Sequence, residues 1–279
     1  MWILLQIELF KIFKRSRTYI SFAAITAIVL LIQLAFYIDG NAYVQFMLQA
    51  LNDTFTVSGN ILNGYLICFI VLQTLLIHVP LLIALVAGDM IAGEANMGTL
   101  RLLLSKPISR TTLILSKFFA STVYTLALLL WMAVLSLMLS MLVFGVSDLI
   151  IFKSEMITIL ERTDILWRYF AAFAFAAIAM TTVAALALLL SIFADNAIGP
   201  IIATMCIIIV LTILTTMDIP FFNQMKPFIF TTHMLGWKGF FDDPVNYKDI
   251  FTSAAILVTH IVLFVGAAIV VFKRKDVLS

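Results

Sequence analysis

Residues 169–194 read YFAAFAFAAIAMTTVAALALLLSIFA, a run without a single charged residue. Crossing a bilayer core takes roughly 20 mostly apolar residues, so this run is long enough. In lipid the backbone must satisfy its own hydrogen bonds, which leaves helices or a closed barrel. Apolar residues here are continuous rather than alternating, so the run predicts a helix. The rest of the chain is of the same kind. It is 63% hydrophobic and 11% charged over 279 residues. A soluble domain is nearer half apolar and a quarter charged, and one domain in water has too much surface for this composition. Six spans are predicted, at approximately 19–37, 65–87, 118–145, 169–194, 200–217 and 251–272. The break between the fourth and fifth rests on Asp195-Asn196, a helix-start pair, followed by Gly199-Pro200.

The expected fold is an all-α polytopic membrane protein forming a single domain over 1–279. Basic residues orient it. With the N-terminus inside, eleven lie on the cytoplasmic side: Lys11, Lys14, Arg15, Arg17, Arg101, Lys106, Arg110, Lys117, Lys273, Arg274 and Lys275. Six lie outside: Lys153, Arg162, Arg168, Lys226, Lys238 and Lys248. The first outer loop, with Asp39 and Asp53, has no basic residue; neither has the inner loop at Asp195. The expected place is therefore the cell (inner or plasma) membrane, multi-pass, with both termini cytoplasmic. The first apolar run is longer than a signal peptide's core and no small-residue cleavage site follows, so it reads as a retained span. A net charge of +2 gives no basis for nucleic-acid binding. Cys68 and Cys206 sit in apolar runs and read as packing residues.

Ahead of the first span, Trp2, Leu5, Leu9, Ile12 and Phe13 share one face of a helix, with Gln6, Lys14 and Arg17 opposite. This pattern predicts an N-terminal interfacial helix. Between the second and third spans lies GEANMGTLRLLLSKPISRT, residues 93–111. Leu100, Leu103 and Leu104 make an apolar stripe flanked by Arg101 and Lys106. Pro107 ends that element, and Ser109 can cap the helix entering the third span. The product is a short amphipathic helix across the inner mouth. It either fits a groove on a soluble partner or lies on the lipid surface.

This loop resembles that of the ABC-2-type transporter permeases: Gly93-Glu94, then Gly98-Thr99-Leu100, the leucine run, Ser105 to Arg110, and Lys117 at the next span. The opening Glu8 to Lys11 and Arg15 to Thr18, the stretch Thr231 to Phe241, and the tail Phe272 to Ser279 are similar to theirs as well. The resemblance spans the whole chain. It implies that two permease copies pair, as homodimer or heterodimer, and that each docks an ABC ATPase subunit in trans. Residues 93–111 would form the cytoplasmic coupling helix between spans 2 and 3. The contact it implies is Glu94, Gly98, Thr99, Leu100, Arg101, Leu103, Leu104 and Lys106. For Glu94 a carboxylate favoured by a helix dipole is the alternative. Cargo would move outward and be hydrophobic or amphipathic: a drug, a peptide antibiotic or a lipid.

The chain has no phosphate-binding loop of the GxxxxGK[ST] kind, so any ATPase must be another polypeptide. No nucleophile-and-base pair or metal cluster stands at membrane depth, and the chain itself is not expected to be an enzyme or to carry a cofactor. His78, two residues before Pro80, either bonds backbone freed by the proline or touches a substrate path. No acidic residue sits near the centre of a span, which argues against a proton- or sodium-driven carrier. Alanines in the fourth span predict close helix packing. The aromatic stretch 218–249 is expected in the headgroup layer, as anchor or exit gate. The rival to a permease is a membrane anchor or scaffold for a non-transporting complex.

Overall fold

The computed structural model describes residues 1–49, 61–74, 78–152, 157–217 and 219–275. Asp53, Lys153, Asp218 and the tail beyond Lys275 lie outside the described residues, as do part of the second expected span and the side chain of Leu104. In chain order the helices are α1 Trp2–Lys14, α2 Ser16–Gln49, α3 Gly64–Gln73, α4 Val79–Ala87, α5 Asp89–Asn96, α6 Thr99–Leu104 and α7 Arg110–Val134. A π-helical turn, Leu135–Leu139, carries α7 into α8, Ser140–Phe144. Strands β1 Leu149–Phe152 and β2 Ile157–Leu160 follow, then α9 Arg162–Ser191 and α10 Ile198–Thr216. α11 Pro220–Asn223, a 3-10 turn Lys226–Phe228, α12 Phe230–His233 and a 3-10 segment Met234–Phe241 lead to α13 Tyr247–Arg274.

Among the described residues, five helices are long and apolar enough to cross a membrane: Ser16–Phe46, Arg110–Phe144, Arg162–Ser191, Ile198–Thr216 and Tyr247–Arg274. The bent pair α4–α5 makes a sixth if taken as one span. α9 is the axis of the bundle, packing against α13, α4, α7 and α10. Its most apolar stretch is 72% buried, against 22% for α2 and 17% for α10. Ala172, Ala176, Ala179, Ala184, Ala185 and Ala187 are all buried on it. Side chains this small bring neighbouring backbones close enough for dense packing.

One expectation is refined and one corrected. The chain is predominantly helical, as expected, but adds a small hairpin in which β1 and β2 pair antiparallel, with Leu149 opposite Leu160 and Phe152 opposite Ile157. Leu149, Ile151, Thr158 and Leu160 face inward, while Ile159 is exposed. The second span is not one helix over 65–87. α3 ends at Gln73, α4 starts beside Pro80, and α4 and α5 meet at 41°. Proline cannot donate to the helix ladder, which suits it to the first turn of a new helix.

The cap residues behave as their chemistry predicts. Ser109 Oγ accepts from Thr112 N–H at 3.1 Å and starts α7. Asn196 Oδ1 accepts from Ile198 and Gly199 N–H at 3.1 and 3.2 Å and starts α10. The aromatic segment after α10 is partly core. Phe230, Met234, Trp237 and Phe241 are buried, and Phe241 meets both Phe69 and Tyr169 edge-on. Buried Arg168 donates to the Phe240 and Asp242 carbonyls at 2.9 and 2.7 Å, which pins this segment to α9. Phe221, Met225, Phe228 and Leu235 of the same segment are exposed.

Candidate functional site

Charge accumulates where α1, α5 and the start of α7 meet. Glu8 and Lys11 are three residues apart on α1 and share a face. Glu94 comes from α5 and Lys117 from α7. Lys11 Nζ lies 2.8 Å from Glu8 Oε1 and 2.8 Å from Glu94 Oε1. Lys117 Nζ lies 2.9 Å from Glu8 Oε2 and 2.8 Å from Glu94 Oε2. Two carboxylates and two ammoniums thus alternate in a closed ring that is neutral as a whole. The Lys117 side chain is 0% exposed and both carboxylates are 4% exposed, whereas Lys11 is 35% exposed. Isolated charges could not be buried like this; mutual pairing permits it.

A second cluster adjoins the ring. Asp89, in the first turn of α5, pairs with Arg15 and, at 3.0 Å, with Arg17. The two clusters fasten α1 and the start of α2 to α5. They also explain the glycines of the motif. A Cβ on Gly93 would stand 2.3 Å from Asp89 Oδ1, so only glycine leaves room for that carboxylate. Gly98 has φ 69°, a left-handed conformation that lets the chain turn from α5 into α6.

Ser191, at the end of α9, holds the bend. Its Oγ donates to the Gly88 carbonyl at 2.6 Å and accepts from Ile91 and Ala92 N–H at 3.1 and 2.9 Å. One hydroxyl therefore replaces ladder bonds between α4 and α5, a recognised cause of a kink. Ser191→Ala should cost about 1–3 kcal/mol, because it leaves buried backbone groups unpaired. Faster hydrogen exchange at Ile91 and Ala92 would show it; unchanged protection there would contradict it.

Titration follows from the ring. Burial pushes the Glu8 carboxyl up, but the Lys117 charge and the hydrogen bonds from Lys11 and Lys117 outweigh it, so its pKa falls below 4.5. Burial pulls the Lys11 ammonium down, but hydrogen bonds to Glu8 and Glu94 outweigh that, so its pKa rises above 10.5. Glu8 thus contributes stability above pH 4.5 that is lost as the pH falls through its lowered folded-state pKa. Lys11 contributes stability below pH 10.5 that is lost as the pH rises through its raised one. Protease resistance of α1 should be level between those limits and decline outside them. A decline through neutral pH would contradict this.

The sequence-derived contact residues divide. Glu94 is buried in the ring, and Leu100 is 2% exposed. Both side chains are thus enclosed in the bundle, although Glu94 also borders the groove beside α6. The dipole alternative for Glu94 fails, since Glu94 is in the second half of α5 and its charge is held by two lysines. Thr99 is half-buried and its hydroxyl donates to the Glu94 carbonyl at 3.3 Å. Gly98, Arg101 and Lys106 are exposed and Leu103 is half-buried. Leu102, which the stripe omitted, is 68% exposed. His78 is exposed at the start of α4, its Nδ1 3.2 Å from the Thr74 carbonyl. Among the described residues no group of His, Cys, Asp and Glu is arranged to hold a metal ion.

The residues missed by sequence reasoning are Glu8, Lys11, Asp89, Lys117 and Ser191. For the four charged residues the signal was a charge beside or inside an apolar run; Ser191 gave none. Residues 25–278 match a family described as protein of unknown function (DUF2705). The chain belongs to the DUF2705 family. No curated protein matches the sequence. In this DUF2705 chain the other termini gather at the same end. Arg110 donates to the Phe272, Lys273 and Lys275 carbonyls, and Lys275 donates to the Ile192 carbonyl.

Proposed function

We propose that the protein is the membrane-spanning permease subunit of an ABC exporter, driven by a separate ATPase in trans. α6 is the coupling element, on the cytoplasmic side. The observation that carries this reading is the linkage between α6 and the spans. α6 follows α5 across only Met97 and Gly98, and α5 is tied to α1 and α7 through the ring and to α9 through Ser191. A push on α6 therefore bears on three helices together. Beside it opens a groove of about 370 Å³ lined by Lys11, Met97, Thr99, Leu102, Leu103 and Lys106. An apolar partner element with an acidic rim fits this lining. The lightly buried α2 and α10 leave faces for lipid and for a second copy.

Purification from its own membrane should bring down a soluble protein with a phosphate-binding loop. ATP turnover by that complex in proteoliposomes should rise with the transported compound. A complex containing only non-ATPase proteins would favour the scaffold reading instead.

A further inference from the structure

We infer that the protein carries a binding site for the headgroup of an anionic phospholipid, between the α1–α2 corner and the start of α10. A cleft of about 540 Å³ opens there, lined by Lys14, Arg15, Arg17, Asn96 and Asn196 around Asp89. Its charged lining is three cations against one carboxylate, an excess of two. Arg17 reaches Asp89 with Nη1 and its side chain is 54% exposed, so the guanidinium has further N–H groups to turn outward. Asn196 uses its carbonyl oxygen to cap α10, which leaves its NH₂ as the group to offer an anion.

Charge alone would accept any phosphate. The flanks of the cleft select an amphiphile. On α1, Ile3, Ile7, Phe10 and Lys14 follow one another at helical spacing, and Ile3 and Phe10 are 71% and 67% exposed. Lys14 Nζ sits over the Phe10 ring, 5.4 Å from its centre, at the polar end of that stripe. On α10, Ile198, Ile202, Ile209 and Ile213 are all more than half exposed. That ridge starts in the cleft and runs about 22 Å at 1.5 Å per residue, more than the roughly 15 Å depth of one leaflet's hydrocarbon. A phosphodiester seated among Lys14, Arg17 and Asn196 would lay its acyl chains along these two apolar tracks. Basic pockets between helices at the membrane surface suit such headgroups. The site does not depend on the permease reading, and its test measures no transport.

The test uses the full chain, delipidated in detergent, titrated with fluorescent phosphatidylglycerol. Saturable binding is expected, with phosphatidylcholine far weaker. Lys14→Gln should weaken it about fivefold and Lys14→Glu about 30-fold, one and two charges respectively. Lys14→Arg should preserve it, and so should Lys248→Glu, which changes an exposed charge on the first turn of α13. Binding unchanged in Lys14→Glu would overturn the assignment. So would inorganic phosphate competing as well as the lipid, which would mark a free-anion site. Binding of a polyglutamate peptide without binding of phosphatidylglycerol would overturn it too, in favour of an acidic protein partner.

Discussion

Lys117→Met should destabilise the folded protein by about 3–5 kcal/mol, the cost of stripping one partner from a buried ion pair. Lys117 is fully enclosed, and its ammonium sits between the second oxygens of Glu8 and Glu94. Methionine fills a similar volume, so packing is nearly kept while the charge is lost. Two carboxylates, each 4% exposed, would then share Lys11 alone. Lys11→Met should cost less, because Lys11 is 35% exposed and water already meets part of its hydration. Adding Glu94→Gln to Lys117→Met should recover part of the loss, since the ring would again balance one acid against one base. Thermal unfolding of the three variants and the native protein in detergent checks the order. If Lys117→Met matched the native protein, the ring would not hold the helices together.

The second large effect concerns α6. Leu102→Asp combined with Lys106→Glu should abolish co-purification of the ATPase while leaving thermal unfolding unchanged. Both residues are exposed, so neither substitution opens a hole. An apolar anchor at the centre of an interface is worth 2 kcal/mol or more, about 30-fold in affinity, and reversing the rim charge adds repulsion. Leu100→Asp should behave differently. It buries a carboxylate at a site 2% exposed, so stability falls together with binding. Equal stability of Leu100→Asp and the double variant would show that α6 does not pack as described.

The helices long enough to span were readable in the sequence because each is an unbroken apolar run. Pro80 announced a disturbance in the second, but the bend at Gly88 did not, because Ser191, which makes it, lies about a hundred positions away. The hairpin was hidden for another reason. A half-buried strand shows itself by alternating polarity, yet here the outward residues Ile157 and Ile159 are as apolar as the inward ones. The site was legible as a motif but not as a mechanism. Gly93, Glu94 and Gly98 stood out, and the structure gives two of them backbone or steric duties and places the third in the ring. The ring itself joins residues 83 and 109 positions apart, and no local spacing signals a pairing of that range. The leucine stripe falls on α6, but part of it is turned inward, since Leu100 packs into the bundle while Leu102 faces out.

The central claim is that α6 hands force from a separate ATPase to the spans. Site-specific photo-cross-linking tests it most directly, with a photoreactive amino acid placed at Leu102 in living cells. The account predicts one dominant adduct, to a soluble protein bearing a phosphate-binding loop, lost when Lys106→Glu is added. Adducts to lipid alone, with no protein partner, would contradict it.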